Sequence, residues 1–189
     1  DYPSQLYKCL SDASFSTNKN KKIVVLTPGV FNSAYFEHSY LAQQMGVELV
    51  EASDLYVSKN KNVLMKTING PKKVDVIYRR IDDVFIDPKV WRKDSKLGIP
   101  GIYNAWKNKK IAIVNAPGSG VADDKAVYAF VPKMIKFYLQ EEPIISQVKT
   151  YVCAFKKDLN YVVNNIEKLG LKPVNESGGY GILIGPQSS

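Results

Sequence analysis

The sequence is poor in the side chains that grip transition metals: one histidine, His38, and two cysteines, Cys9 and Cys153, stand far apart in its 189 residues. Neither a zinc knuckle nor a disulfide framework can be assembled from them. Cysteine usage this sparse suits a reducing, cytoplasmic setting. Long hydrophobic runs are missing as well. "KIVVL" and "IAIV" are strand-sized, far short of the roughly 20 residues of a membrane helix, so no membrane partner is expected. No signal peptide or lipidation motif is read in these residues, and no Gly-Lys-Ser/Thr closes a Walker A loop. The chain starts at "DYPSQLY" without a methionine and stops at "GPQSS" soon after a strand-like run, which reads as a piece of a longer protein.

Positive charge is what the sequence has in excess. The net charge is +8, from 26 Lys and Arg against 18 Asp and Glu. The lysines gather in "NKNKK" (18–22), "SKNKN" (58–62) and "KNKK" (107–110), between periodic segments and without interleaved aromatic residues. Nucleic-acid surfaces that stack bases need such aromatics. The clusters read as solvated turns, and no specific nucleic-acid partner is expected. Weak polyanion binding would betray itself by a steep loss of affinity with salt.

The apolar pattern is that of an α/β protein. "KKIVVLTPG" (21–29) reads as a buried strand ending in a turn, and "VELV" (47–50) as the next strand. Between them Ala34, His38, Leu41, Ala42 and Met45 share one helical face, with Ser33 as a cap and Gly46 as the stop. On that face His38 reads as a packed, hydrogen-bonded residue. Residues 55–67 read as a hairpin, 73–85 begin as a strand, 102–108 form a short helix and 109–118 a strand running into a Pro-Gly turn. Beyond 118, Asp123 is expected to cap a helix broken near Pro132, "EEPIISQ" to be a linker and "TYVC" (150–153) a strand. Leu159, Val162, Val163, Ile166 and Leu169 then form a helical stripe stopped by Gly170. Ligands of such sheets sit at the carboxyl ends of strands. There Arg79 and Arg80 close "VDVIYRR", and Asn32 and Tyr35 follow "TPGVF". Adjacent strand residues face opposite ways, so at most one arginine can enter a given pocket. A planar fork there suits a carboxylate or acyl phosphate, and a local Arg–Asp network is the competing reading.

Near the end, "LKPVNESGGYGILIG" (171–185) places a lysine and three glycines between two apolar runs. Glycines admit close approach of backbone N–H groups to phosphate oxygens, and lysine adds a compact charge. The same spacing also fits a plain flexible hairpin. Spacing alone leaves the two readings level.

Five blocks in order carry a resemblance: "VVLTPGVFNSAYFEHSYLAQQMGVELVE" (24–51), "VDVIYRRIDDVFIDP" (74–88), "GIPGIYNAW" (98–106), "GVADDKAVYAFVPKMIKFYL" (120–139) and "KPVNESGGYG" (172–181). Together they closely resemble the circularly permuted ATP-grasp family, related in fold to glutathionylspermidine synthetase. The resemblance covers most of the chain. It implies an N-terminal connector (1–20), a Rossmann-like pre-ATP-grasp domain (21–118) and part of an ATP-grasp nucleotide-binding domain (119–189). It further implies an ATP-dependent carboxylate–amine or carboxylate–thiol ligase working through an acyl phosphate, with ATP and Mg²⁺ as cofactors. The partners so implied are ATP and small-molecule or peptide carboxylates and amines. Carried over by position, Lys125, Lys172, Ser177, Gly178, Gly179 and Gly181 would contact ATP, while Arg79, Arg80, Asn32 and Tyr35 are candidates for the substrate. No residue is assigned a catalytic role. One departure stands out: the acidic Mg²⁺-binding segment of the family has no match among Asp82/Asp83, Asp123/Asp124 or Glu141/Glu142. Its ligands are expected elsewhere, and this stretch alone is expected to be inactive. The rival reading is a non-catalytic nucleotide- or peptide-binding module on the same scaffold.

Overall fold

The computed structural model describes residues 1–176 and 179–187, which fall into two compact units, Asp1–Gly118 and Ser119–Ser189. In the first unit, helix α1 (Tyr2–Asp12) starts at Asp1, whose carboxylate accepts the Ser4 N–H at 2.9 Å. Strand β1 (Ile23–Leu26), helix α2 (Tyr35–Met45) and strand β2 (Glu48–Val50) make a β-α-β unit as the periodicity predicts. A hairpin of β3 (Leu55–Val57) and β4 (Val63–Met65), extended by β5 (Lys72–Lys73), forms a small antiparallel sheet. Strand β6 (Val76–Arg79), helix α3 (Ile102–Lys107) and strand β7 (Ala112–Val114) complete the unit.

The main sheet is parallel throughout, in the order β2-β1-β6-β7. Its strands are apolar on both sides because both faces are covered. Val24, Leu26, Ile77 and Ile113 pack with Ile99, Ile102 and the hairpin residues Leu55 and Val63. On the other face Ile23, Val25, Val76 and Tyr78 pack with Leu41 and Ala42 of α2 and Leu10 of α1. Leu10 is fully buried, which contributes roughly 1.5–3 kcal/mol to holding α1 in place. The strand order reverses between β1 and β6. Their carboxyl ends therefore mark the switch point beside which open α/β sheets commonly take ligands. Residue 33 departs from expectation: α2 is preceded by Ala34, and the side chain that holds its entry is Asn32, accepting the Ala34 N–H at 2.9 Å.

In the second unit a 3₁₀ turn (Ser119–Asp123) leads into helix α4 (Lys125–Leu139). The cap is Asp124, not Asp123: its Oδ1 accepts from Ala126 N–H at 2.8 Å and Val127 N–H at 3.2 Å. Pro132 does not break α4 either. A proline strands the carbonyl four residues back, and here the Gln147 side-chain amide donates to that carbonyl, Tyr128 O, at 2.6 Å. Residues 150–153 are not a strand; the Val152 N–H is given to Asp158 Oδ2 at 3.0 Å. Asp158 lies in the first turn of helix α5 (Lys156–Asn164), which yields to a 3₁₀ turn, Ile166–Lys168. Gly170 opens the next strand instead of merely ending the helix. Strands β8 (Gly170–Leu171) and β9 (Leu183–Ile184) pair antiparallel and frame the glycine loop as a hairpin.

Candidate functional site

At the carboxyl end of the parallel sheet the two arginines part company. Leu26 is the register partner of Arg79, and Arg80 N–H reaches Leu26 O at 2.8 Å, so both stand beside the β1–α2 loop. The Arg79 guanidinium is one-tenth exposed and heavily engaged. It donates to Asn115 O at 2.6 Å, Ile81 O at 2.6 Å and Ala116 O at 3.3 Å, and pairs with Asp83 at 2.6 Å. Asp83 Oδ1 takes no hydrogen bond of good geometry, so that ion pair is what compensates its buried charge. Its other oxygen accepts the Gly118 N–H at 3.1 Å. Arg79 thus ties the loops after β6 and β7 together, as the local Arg–Asp reading anticipated, with nearly all of its donors in use.

Arg80 lies on the opposite face, against α2. It donates to Glu37 at 2.7 Å and to the Tyr78 hydroxyl at 3.1 Å, and both Arg80 and Glu37 stay partly open to solvent. An exposed pair like this is worth roughly 0.2–1 kcal/mol and is readily exchanged for a better anion. Asn32 is exposed and its side-chain oxygen is taken by Ala34, while Tyr35 is half-buried with its N–H on Asn32 O at 3.0 Å. Beneath this loop His38 is buried, as expected for a packed histidine, and its Nδ1 lies 2.9 Å from Thr27 Oγ1. The same hydroxyl accepts the Gly29 N–H at 3.2 Å. Burial first, and then the Arg80 charge, holds the His38 pKa below its ordinary value of 6.5.

Sequence reasoning passed over Asp87. Its carboxylate is fully buried and accepts N–H groups from Lys89 at 2.9 Å, from Gly101 at 3.0 Å and from Tyr103 at 3.0 Å. It caps α3 and pins the 87–101 loop; the Asp-Pro dipeptide gave a turn signal but not this burial.

In the second unit the structure brings Lys125 to the base of the glycine loop. The Lys125 N–H donates to Val174 O at 3.2 Å, and its ammonium donates to Glu176 O. Val174 follows Lys172 by two residues, so both lysines flank one stretch of chain. Lys172 is exposed, and its side chain pairs with none of the described residues. Gly179 and Gly181 hold φ of 83° and 67°, a left-handed region that side-chain-bearing residues avoid. A Cβ on Gly181 would stand 2.8 Å from Pro173 Cγ, whereas one on Gly179 would meet nothing within 4 Å. Ser177 and Gly178 lie outside the described residues. The amides at the start of α4 are already spoken for by Asp124 and Val174. The helix start is therefore not an open anion site, and what it offers a phosphate is the Lys125 side chain. Among the described residues no three His, Cys, Asp or Glu side chains gather as metal ligands, and no helix is long and apolar enough to cross a membrane.

Known proteins with similar sequences show the family to which the chain belongs. An uncharacterized protein of Synechocystis is 53% identical over 188 residues, covering 100% of this chain and 39% of its own length. An uncharacterized protein of Mycobacterium tuberculosis is 50% identical over 189 residues, again 100% of this chain and 34% of the relative. A Frankia casuarinae protein named "Putative glutamate–cysteine ligase 2-2" is 40% identical over 189 residues, covering 98% of this chain and 22% of that protein. The chain thus spans well under half the length of these relatives. The pattern described as circularly permuted ATP-grasp type 2 matches residues 1–189, and the chain belongs to that family.

Proposed function

We propose that these residues form part of an ATP-dependent carboxylate–amine or carboxylate–thiol ligase, and that the second unit supplies part of its nucleotide site. The observation that carries the reading is the meeting of Lys125 with the 174–176 segment of the glycine loop, beside the uncommitted Lys172. ATP, when bound, supplies the phosphoryl group that turns a carboxylate into an acyl phosphate. The two lysines would hold phosphate oxygens by charge-assisted hydrogen bonds, each worth roughly 1.5–3 kcal/mol. For the Lys125 ammonium this means exchanging the Glu176 carbonyl for a phosphate. Gly179 and Gly181, bare of side chains, let the hairpin close over those oxygens and exclude the water that would hydrolyse an acyl phosphate. In the first unit Arg80 is the better candidate for the substrate carboxylate. Its partner Glu37 is exposed and replaceable, whereas Arg79 is committed to the backbone. Mg²⁺ is assigned no ligands in this chain, and no step is drawn through it.

The family membership and the Frankia relative's name support the ligase class and suggest glutamate and cysteine as first probes. The experiment is hydroxylamine trapping with the full-length gene product, MgATP and a panel of carboxylic acids beginning with glutamate. Hydroxylamine intercepts an acyl phosphate as a hydroxamate, with one ADP and one phosphate formed per trap. Acid-dependent hydroxamate supports the ligase. Nucleotide binding without acid-dependent ADP across the panel replaces it by a non-catalytic binding module.

A further inference from the structure

The second unit has almost no core of its own. Val162 is the one buried apolar side chain among its described residues. Helix α4 runs for 15 residues and buries none of them. Its Met134, Phe137 and Tyr138 are 42%, 76% and 72% exposed, and the segment that follows adds Ile144 at 98%, Ile145 at 84% and Val148 at 80%. Met134 and Tyr138 lie one turn apart on α4 and Phe137 beside them, so they share a stripe of the helix. The Lys136–Glu142 pair and the Gln147 amide on Tyr128 O draw residues 142–147 back beside α4, and permanent interfaces resemble a domain core cut in half.

Charge does not balance the exposure. Of the net +8, the first unit holds 18 Lys and Arg against 11 Asp and Glu, which is +7, leaving 8 against 7, or +1, in the second. The unit carries almost no net charge, yet 15 of its 71 residues are charged, so the case for a covered face rests on its apolar exposure. The relatives supply the missing mass: this chain accounts for 39% and 34% of two proteins that it matches end to end.

We infer that the face formed by α4 and residues 144–148 is an intramolecular interface, covered by further segments of the longer polypeptide to which this chain belongs. The occupant is therefore part of the same protein rather than a second copy or a separate partner. The inference is independent of what the glycine loop binds.

Hydroxyl-radical footprinting of the 189-residue chain and of the full-length gene product, at equal concentration, tests it. In the longer, monomeric polypeptide Met134 is expected to oxidise roughly tenfold more slowly than in the short chain, because oxidation follows exposure. Phe137 and Tyr138 should be protected with it, while the exposed Phe31 is labelled alike in both. The double substitution Phe137→Glu, Tyr138→Glu separates packing from mere stickiness. It should lower the melting temperature of the full-length protein and raise the solubility of the short chain. Equal labelling in both polypeptides would overturn the inference, as would a gene product of only 189 residues. Protection that appears only in a concentration-dependent dimer would assign the face to a second copy and overturn it too.

Discussion

Replacing Asp87 by asparagine changes almost no volume and makes a sharp demand on the first unit. The native carboxylate serves Lys89 and Gly101 N–H on Oδ1, and Gly101 and Tyr103 N–H on Oδ2. An amide has only one oxygen. Either the Lys89 or the Tyr103 N–H must then face a second donor, at a site with no solvent exposure. A stranded buried donor costs about 1–3 kcal/mol, and two bonds that fall from charged to neutral lose about 1 kcal/mol each. The expected total is about 4 kcal/mol, a large share of a domain's 5–15 kcal/mol. The assay is urea unfolding followed by tryptophan fluorescence. Both tryptophans, Trp91 and Trp106, pack against the core on the α3 side of the sheet, so the signal reports this unit. Asp87→Ala should cost at least as much, since it strands every donor. A loss below about 1 kcal/mol for Asp87→Asn would mean that water or another acceptor reaches these amides, and the capping argument would fail.

Three further outcomes follow from the same geometry. The His38 pKa is lowered in the fold, so the unfolded chain binds the proton first as pH falls. Stability from this residue is complete above the ordinary value of 6.5 and is lost as pH drops below it; in His38→Gln the urea midpoint should lose that slope between neutral pH and pH 5. Arg79→Lys keeps the charge but not the fork that reaches Asn115, Ile81 and Ala116. It should cost about 1–2 kcal/mol in urea unfolding, with nucleotide affinity unchanged by calorimetry. Gly181→Ala forces a Cβ into left-handed backbone against Pro173, a strain of about 1–2 kcal/mol. Urea unfolding of protein carrying it should show a loss of that size, and an unchanged midpoint would mean that the 179–181 turn relaxes without cost.

The β1–α2–β2 unit, the hairpin and β7 are legible in the sequence because periodicity and glycine punctuation agree with the final packing there. The parting of Arg79 and Arg80 follows from strand alternation alone. What alternation cannot say is that Asn115 and Ala116 carbonyls, 36 and 37 residues away, wait for Arg79. Pro132 misleads for the same reason. Local rules strand Tyr128 O, and only the fold brings Gln147 to it. Residues 150–153 look like a strand by composition, but Asp158 claims the Val152 amide before any neighbour can. The glycine loop is ambiguous by spacing, and its tie to Lys125 is a contact across about 50 residues that no local pattern encodes.

The most direct measurement is a calorimetric titration of MgATP into the full-length gene product and its Lys172→Ala variant. Binding by the native protein is expected, with a loss of roughly 1.5–3 kcal/mol, about tenfold to a hundredfold, in the variant. A folded native protein that takes up no ATP, or a Lys172→Ala variant that binds it as well as native, would contradict the nucleotide-site reading.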